Sequence, residues 1–357
     1  MQQSITSHAC RNLVQELAAT GHLAPEGYRA LLLDSDPRQA EVLHAQARRV
    51  AQQRFGKGIF VRGLIEFTNQ CRGDCLYCGI RRSNTHVRRY RLTSEQVLEC
   101  CRVGYELGFR TFVLQGGEWD DSHDDEIAAL VTSIRHRYPH VAITLSLGEK
   151  SREAYALFKK CGADRYLLRH ETHNAEHYGK LHPPRQTLAH RLQCLEWLKE
   201  LGYQVGTGMM VGSPYQRIDD LLGDIEFIEQ FKPHMIGLGP FIPQHDTPLG
   251  TFPPGSVATT ARLYSIFRLI HPGALIPSTT AMATLAPGGR IQGILAGANV
   301  VMPNLSPTGN RRDYALYDHK AYAAAESAEG LRLLDAELST IGYHIDYSRG
   351  DYHASAR

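Results

Sequence analysis

Residues 71–78 read Cys71-Arg72-Gly73-Asp74-Cys75-Leu76-Tyr77-Cys78, so three of the eight cysteines of the chain lie within this short run. Three thiolates at the spacing Cys-x3-Cys-x2-Cys can hold three irons of a four-iron cube, which normally takes four protein ligands. The fourth iron is then left open to an external chelate, to which it can pass an electron. The spacing therefore indicates an iron–sulfur centre with one open position.

A structural zinc site is the main alternative for these cysteines. Zinc in such sites is tetrahedral and would need a fourth Cys or His nearby. The nearest candidate is His86, which lies in a polar, arginine-rich loop without zinc-ribbon spacing. Disulfides do not explain the run, because three neighbouring cysteines cannot all pair. The other cysteines, Cys10, Cys100, Cys101, Cys161 and Cys194, have no spacing typical of a disulfide framework.

Length and composition restrict the class of protein. A chain of 357 residues with 43% hydrophobic and 21% charged residues suits one α/β barrel with extensions. The net charge of +2 gives no sign of a nucleic-acid partner. The N-terminus has no signal-peptide pattern, and no apolar window is long enough to cross a bilayer. We therefore expect a cytoplasmic protein without a membrane partner, in which the arginine-rich stretch 81–91 is a solvated loop.

From about residue 59 onward, short apolar runs that are typical of buried strands alternate with amphipathic helical stretches. Strands are predicted at 59–67, 111–114, 142–146, 165–168, 203–207, 235–238, 274–277 and 299–302. Repeated strand–helix units imply parallel pairing with right-handed crossovers. Eight units predict a complete (β/α)8 barrel of the TIM type. The predicted boundaries are an N-terminal helical extension at 1–56, the barrel at 57–320, and a C-terminal helix and tail at 321–357.

Several helix starts can be read from the sequence. Thr93-Ser94-Glu95-Gln96 has the spacing of a capping box, and Asp36 before Pro37 is a predicted N-cap. Helices are predicted at 125–137, 151–161, 188–201, 218–231, 256–270, 289–296 and 321–341. The scattered histidines, among them His173, His177 and His182, lack a pattern of metal ligands, so we expect them at the surface.

Active sites of such barrels lie on the loops that follow the strands. The loop after the first strand contains the cysteine run. Later strands are followed by Gln115-Gly116-Gly117-Glu118, Leu147-Gly148-Glu149 and Arg169-His170-Glu171-Thr172. A polar or glycine-containing cluster therefore follows each predicted strand at the same end of the barrel, where we expect the site.

The cysteine run resembles the signature of the radical S-adenosylmethionine (SAM) superfamily, and the loops resemble its HydE family of FeFe-hydrogenase maturases. The resemblance covers roughly residues 60–317. It includes Glu66-Phe67-Thr68-Asn69, Thr144-Leu145-Ser146-Leu147-Gly148-Glu149, Thr279-Thr280-Ala281-Met282 and Asn299-Val300-Val301-Met302-Pro303-Asn304. It implies a 4Fe-4S cluster on Cys71, Cys75 and Cys78, whose open iron chelates SAM. Reductive cleavage of SAM then gives a 5'-deoxyadenosyl radical.

The same resemblance implies further site residues. Gln115, Gly116, Gly117 and Glu118 match the loop beside the amino group of SAM. Cofactor contacts are also implied for Ser146, Glu171, Arg191 and Met210. The barrel interior, where the family binds its substrate, is matched by Arg169, Thr279, Thr280, Met302 and Tyr314, and Tyr314 is the candidate for a catalytic role. A Glu171–Arg191 ion pair and ordinary packing of the two threonines are the structural alternatives.

The resemblance implies a substrate as well. It is an iron–cysteine complex with CO and cyanide, which the family converts in assembly of the H-cluster, with transient contact to other maturases and an electron donor. Some members carry an accessory cluster on C-terminal cysteines, but this chain has no cysteine after Cys194. Three alternatives stay open: a related enzyme acting on an amino-acid or thiazolidine-type molecule, a methyl- or sulfur-transferring relative, and a non-enzymatic iron–sulfur scaffold.

Overall fold

A computed structural model describes residues 6–320 and 328–353 of the chain. The helices in these ranges are α1 Ser7–Thr20, α2 Pro25–Leu33, α3 Pro37–Phe55, α4 Ser94–Glu106, α5 Asp124–Arg137, α6 Arg152–Lys160, α7 Ala175–Leu181, α8 Leu188–Glu200, α9 Ile218–Phe231, α10 Val257–Ile270, α11 Thr280–Leu285, α12 Gly289–Leu295, α13 Thr308–Arg311 and α14 Leu331–Ser339. The strands are β1 Gly58–Val61, β2 Gly63–Thr68, β3 Thr111–Gly116, β4 Ala142–Ser146, β5 Arg165–Leu167, β6 Gln204–Thr207, β7 Met210–Val211, β8 Met235–Ile236, β9 Gly239–Pro240, β10 Val300–Val301 and β11 His344–Asp346. The alternation of strands and helices confirms the predicted α/β class.

The central sheet is parallel and has the strand order β2-β3-β4-β5-β6-β8. Its residues are almost completely buried, as expected for strands covered on one face by helices and packed inside on the other. Single parallel bridges join Met235 to Leu275, Pro277 to Val300 and Leu64 to Asn304. The continuous ladder thus contains six strands, and the complete eight-stranded barrel stays a prediction.

The first predicted strand, 59–67, is wrong in one respect, because it is divided into β1 and β2 at Arg62. β1 pairs with β10 and β11 in a separate parallel sheet, whereas β2 pairs with β3. A Cβ added at Gly63 would lie 2.2 Å from Leu305 Cδ1, so a larger residue where the chain changes partners would require the Leu305 side chain to move. Arg62 and Gly63 interrupt the apolar run here, but the sequence alone does not show that the two halves pair with different strands.

The predicted helix starts are confirmed. Thr93 and Gln96 form both bonds of a capping box at α4, and the Asp36 side chain accepts a hydrogen bond from the Arg38 backbone N–H at the start of α3. Helices α7, α11 and α13 were not predicted, because each is short and lies inside a loop. Of the predicted helix 321–341, residues 321–327 lie outside the described residues, and 331–339 form α14.

The C-terminal tail covers the amino ends of the strands, which fixes the carboxyl ends as the open side. Arg165, at the start of β5, is fully buried and donates to Arg349 O at 2.9 Å, Gly350 O at 3.1 Å and Asp351 Oδ1 at 2.6 Å. Thr111 Oγ1 also donates to Arg349 O, at 2.8 Å. In the part of the chain that is described, no helix is both long and apolar enough to cross a membrane.

Candidate active site

The cysteine loop between β2 and α4 is held by two other loops and by the end of helix α7. The Arg72 N–H donates to Glu118 O at 2.7 Å, the Leu76 N–H to Leu181 O at 2.9 Å, and the Gly79 N–H to Leu316 O at 2.9 Å. Within the loop, Asp74 accepts from Arg81 Nε at 2.9 Å and pairs with it as a salt bridge. The loop is therefore fixed at both ends by its own backbone.

The three thiols fit an iron–sulfur cluster by their chemistry, and two of them lie beside the same glycine. A Cβ added at Gly73 would lie 3.3 Å from Cys71 Sγ and 4.0 Å from Cys75 Sγ, so both sulfurs border the space above this glycine. Burial raises the pKa of Cys71, and burial with the charge of nearby Cys78 raises that of Cys75. Burial also raises the pKa of Cys78, to about 12. Because burial disfavours negative charge, three thiolates can lie close together here only beside a positively charged group. A metal centre supplies that positive charge.

The zinc alternative finds no support in the position of His86. Its Nδ1 lies 2.8 Å from Asp246 Oδ1, in an exposed pair away from the thiols. Across the described ranges, no three His, Cys, Asp or Glu side chains are placed around a single metal ion.

The glycine loop after β3 packs directly on the cysteine loop. A Cβ added at Gly117 would lie 2.1 Å from Gln70 O and 2.8 Å from Cys71 Cβ, so no other residue fits this close approach. The Glu118 N–H donates to Cys71 Sγ at 3.3 Å, and its carboxylate accepts from Arg72 Nε at 3.0 Å and from the Glu149 N–H at 2.9 Å. The predicted SAM loop therefore lies next to Cys71, and the Arg72–Glu118 ion pair holds it there.

Buried charges connect the next two loops. Arg191 Nε on α8 donates to Glu149 Oε1 at 2.5 Å, and Arg191 also donates to Arg169 O at 2.9 Å. Burial disfavours the charged form of Glu149, but the Arg191 guanidinium outweighs it, so the pKa of this carboxyl lies below its usual value. Glu171 pairs instead with Arg169, at 2.8 Å. The proposed structural pair Glu171–Arg191 is therefore wrong, because each residue has another partner.

Comparison with known proteins agrees with this arrangement. The Radical SAM superfamily model matches residues 65–228. Over 280 residues the chain is 45% identical to the [FeFe] hydrogenase maturase subunit HydE of Thermotoga maritima, covering 78% of this chain and 80% of that protein. The chain belongs to the HydE family of radical SAM enzymes.

One further sequence match and two solved structures accompany this result. The 3-methylornithine synthase of Methanosarcina acetivorans is 28% identical over 298 residues, which is 83% of each chain. The crystal structure of methylornithine synthase (PylB) has a TM-score of 0.82 at 25% identity, covering 94% of this chain and 97% of that one. The maturase HydG has a TM-score of 0.80 at 20% identity, covering 96% and 77%, which shows the shared fold.

In this HydE-family chain, the predicted residues Tyr314 and Gln115 lie beside a buried ion pair between Glu66 and Lys320, which the sequence interpretation missed. Buried Tyr314 lies with its hydroxyl 3.3 Å from Gln115 Nε2, and Lys320 Nζ lies 5.0 Å from the centre of its ring. Lys320 pairs with the Glu66 carboxylate, which also accepts from Asn304 Nδ2 at 2.8 Å. One signal was available, because Glu66 is a charged residue in an otherwise apolar strand.

The remaining predicted residues lie at the same end of the sheet. Ser146 ends β4 opposite Gln115. Met210 packs with Leu181, Phe241 and Leu249, against Leu76 and Tyr77 of the cysteine loop. Thr279 Oγ1 lies 3.4 Å from the Tyr264 hydroxyl, Thr280 begins α11, and half-buried Met302 follows β10.

One expectation about exposure is wrong. His177 lies in the unpredicted helix α7 and His182 directly follows it, and both are buried; burial lowers the pKa of His182 to about 3. The arginine-rich stretch 81–91 is a largely exposed loop, as expected, but one of its arginines is anchored to the backbone. Arg89 donates to four backbone carbonyls, those of Asn69, Ile80, Arg81 and Asn84, at 2.6–3.0 Å. This arginine organises the segment that follows the cysteines.

Proposed function

We propose that the protein holds a 4Fe-4S cluster on Cys71, Cys75 and Cys78 and cleaves SAM reductively to a 5'-deoxyadenosyl radical. We propose further that this radical acts on an iron–cysteine complex with CO and cyanide, in assembly of the H-cluster of FeFe-hydrogenase. The observation that carries the proposal is the contact of the glycine loop with the cysteine loop, where Gly117 lies against Gln70 O and Cys71 Cβ and the Glu118 N–H donates to Cys71 Sγ. A glycine at this contact leaves backbone rather than a side chain beside Cys71.

A complete barrel is the architecture we propose around this site. In its favour, eight parallel segments follow one another in cyclic order once the bridges at Leu275, Pro277 and Asn304 are included. Helices α1 and α3 pack on α10 outside this ring, in line with a helical extension at residues 1–56, a barrel at 57–320 and a separate segment at 321–357.

When bound, the cluster would supply one electron to SAM chelated on its open iron. The protein supplies orientation and exclusion of water. The Glu118 N–H stabilises negative charge on Cys71 Sγ through its hydrogen bond. In the proposal, the carbonyls of Gly116 and Gly117 face the amino group of SAM, while Ser146, Glu171, Arg191 and Met210 line the rest of its site.

The interior chemistry favours a small anionic substrate. Arg169 Nε is buried and has no hydrogen-bond partner among the described residues, although the Nη2 of the same guanidinium pairs with Glu171. A buried donor in this state is satisfied when a ligand brings an acceptor. We propose that Arg169, Thr279, Thr280, Met302 and Tyr314 line the substrate cavity. A partner maturase would deliver the complex and an electron donor would reduce the cluster.

A second candidate is a radical reaction on a free amino acid. It is favoured by the 28% identity with 3-methylornithine synthase over most of both chains. The two candidates share the cluster and SAM chemistry and differ only in the occupant of the inner cavity.

The test is anaerobic reconstitution with iron and sulfide, followed by dithionite and SAM. We expect 5'-deoxyadenosine, and a change in the EPR signal of the reduced cluster when SAM is added. A cluster that forms but neither responds to SAM nor cleaves it would support the scaffold alternative. Adding a synthetic iron–cysteine carbonyl cyanide complex, or a set of free amino acids in a parallel arm, then separates the two enzymatic candidates. The true substrate should raise the rate of 5'-deoxyadenosine formation.

A further inference from the structure

The turn after β5 holds Glu171 in an unusual backbone conformation. Its φ is +66°, in the left-handed region that residues other than glycine rarely adopt. The backbone is tied to the neighbouring strand, because the Glu171 N–H donates to Gly208 O at 3.0 Å and its carbonyl accepts from the Met210 N–H at 3.2 Å. A strained residue persists only where its surroundings hold it, and such residues cluster at functional sites.

The surroundings on the other side of this turn are on helix α9. Asp224 accepts from the His173 backbone N–H at 2.6 Å and lies 3.2 Å from His170 Nε2, through the same oxygen Oδ1. The ring of Phe227, one turn further along α9, stacks on His173 with centroids 4.5 Å apart and meets the edge of His170 at 4.8 Å. His170 and His173, which lie on either side of Glu171, therefore both contact helix α9.

His170 and Asp224 are both fully buried, so solvent reaches neither side chain of the pair. Burial lowers the pKa of His170 to about 3 and raises that of Asp224. A neutral His170 that donates from Nε2 to Asp224 can accept at Nδ1 from the Thr207 hydroxyl, 2.9 Å away. Asp224 Oδ2 has no hydrogen-bond partner in the described part of the chain. A buried aspartate with one unpaired oxygen costs stability, and its other oxygen is the acceptor that joins His173 and His170.

We infer that Asp224 and His170 are positioning residues, which act through the backbone on both sides of Glu171 to aim its carboxylate at the SAM site. The inference rests on the proposed function for the role of Glu171. Asp224 itself touches neither the thiols nor the glycine loop. Its effect reaches the site through the geometry of the turn alone.

Two variants of Asp224 test whether it positions Glu171. Asp224→Leu keeps the approximate size but removes the acceptor, whereas Asp224→Asn keeps an oxygen for His173 and His170. We expect Asp224→Leu to raise KM for SAM by about tenfold to a hundredfold, the usual cost of losing a residue that orients a ligand group. Asp224→Asn should restore KM close to that of the wild type. Asp351→Leu, at the opposite end of the strands, is the control for lost stability and should leave KM unchanged.

A double-mutant cycle with Glu171→Gln distinguishes an effect on the position of Glu171 from a general loss of stability. If Asp224 acts through Glu171, Asp224→Leu should not raise KM further in the Glu171→Gln background. An equal rise in both backgrounds would overturn the inference.

Hydrogen–deuterium exchange of the cluster-free protein gives a readout independent of activity. Asp224→Leu should speed exchange of the amides of Glu171 and His173, and Asp224→Asn should not; unchanged exchange in Asp224→Leu would also overturn the inference. Failure of the wild type to cleave SAM would reject the proposed function, while exchange would still report whether the turn is held.

Discussion

Strand β5 runs from buried Arg165 towards half-buried Arg169, and the hydrogen bonding of these two arginines differs. At its amino end, Arg165 has partners for Nε, Nη1 and Nη2, namely Gln204, Thr111 and the C-terminal tail. Beyond its carboxyl end, Arg169 pairs with Glu171 through Nη2 but leaves Nε without a partner among the described residues. Every nitrogen of the Arg165 guanidinium therefore has a partner within the protein, although Nε of nearby Arg62 has none among the described residues. Arg169 leaves a donor available for a ligand.

The backbone conformation also differs between the two ends of β5. Around Arg165 the chain runs in regular strands, whereas Glu171, two residues after Arg169, has a φ of +66°. Strain at Glu171 and the unpaired Nε of Arg169 cost stability, and a ligand bound beyond the carboxyl end of β5 can offset both costs. The amino end is therefore expected to govern stability and the carboxyl end to govern chemistry.

The largest expected effect is at the cysteine loop. Cys75→Ala should abolish cluster assembly and SAM cleavage, since two thiolates cannot replace three in holding the cube. Iron content and 5'-deoxyadenosine formation measure this. Cys161→Ala, which changes another half-buried cysteine outside the motif, should leave both unchanged. Turnover that survives in Cys75→Ala would reject the assignment of the motif.

At the amino end, Arg165→Met should reduce the free energy of unfolding without weakening SAM binding. It removes the donor to Asp351 and to two tail carbonyls, and loss of one partner of a buried ion pair costs on the order of 3 kcal/mol. Chemical denaturation measures the loss, and exposed Arg11→Met is the control. If Arg165→Met weakened SAM binding as much as it weakened the fold, the amino end of the strands would also govern chemistry, which would contradict the proposed division.

At the carboxyl end, Glu149→Gln should weaken SAM binding more than it weakens the fold. It leaves Arg191 in place but removes the carboxylate that orients its guanidinium, a change that typically costs about tenfold or more in ligand affinity. A SAM titration of the reduced cluster followed by EPR measures the affinity. Glu153→Gln on the exposed face of α6 is the matched control. An unchanged affinity in Glu149→Gln would remove Arg191 from the proposed SAM site.

The sequence suffices for the parts of this comparison that depend on local pattern. The cysteine spacing, the glycines before Glu118, and the capping residues Thr93 and Asp36 each act within a few neighbouring residues. The partners of Arg191 and Glu171 could not be predicted, because they depend on how loops from different strands meet. The break at Arg62 and the packing of the tail on Arg165 also depend on long-range contacts, which no local periodicity encodes.

The smallest effect concerns two histidines at opposite ends, whose pKa values should shift in opposite directions. At the site end, His245 Nδ1 lies 2.7 Å from Asp318 Oδ1 and its Nε2 lies 3.2 Å from Asp246, and the hydrogen bond to Asp318 raises the pKa of His245 above 6.5. At the amino end, burial lowers the pKa of His234, whose Nδ1 accepts from the Val205 N–H at 2.9 Å.

The sign of each contribution to stability follows from these directions. The His245–Asp318 pair stabilises the fold fully below pH 6.5, and its contribution is lost as the pH rises through the raised pKa. Neutral His234 contributes above pH 6.5, and its contribution is lost as the pH falls below that value. NMR titration of the ring protons measures both pKa values. Asp318→Asn should lower the pKa of His245 and leave that of His234 unchanged. Parallel shifts of both histidines would contradict the separation of the two ends, since a local ion pair cannot act on a ring at the other end of the strands.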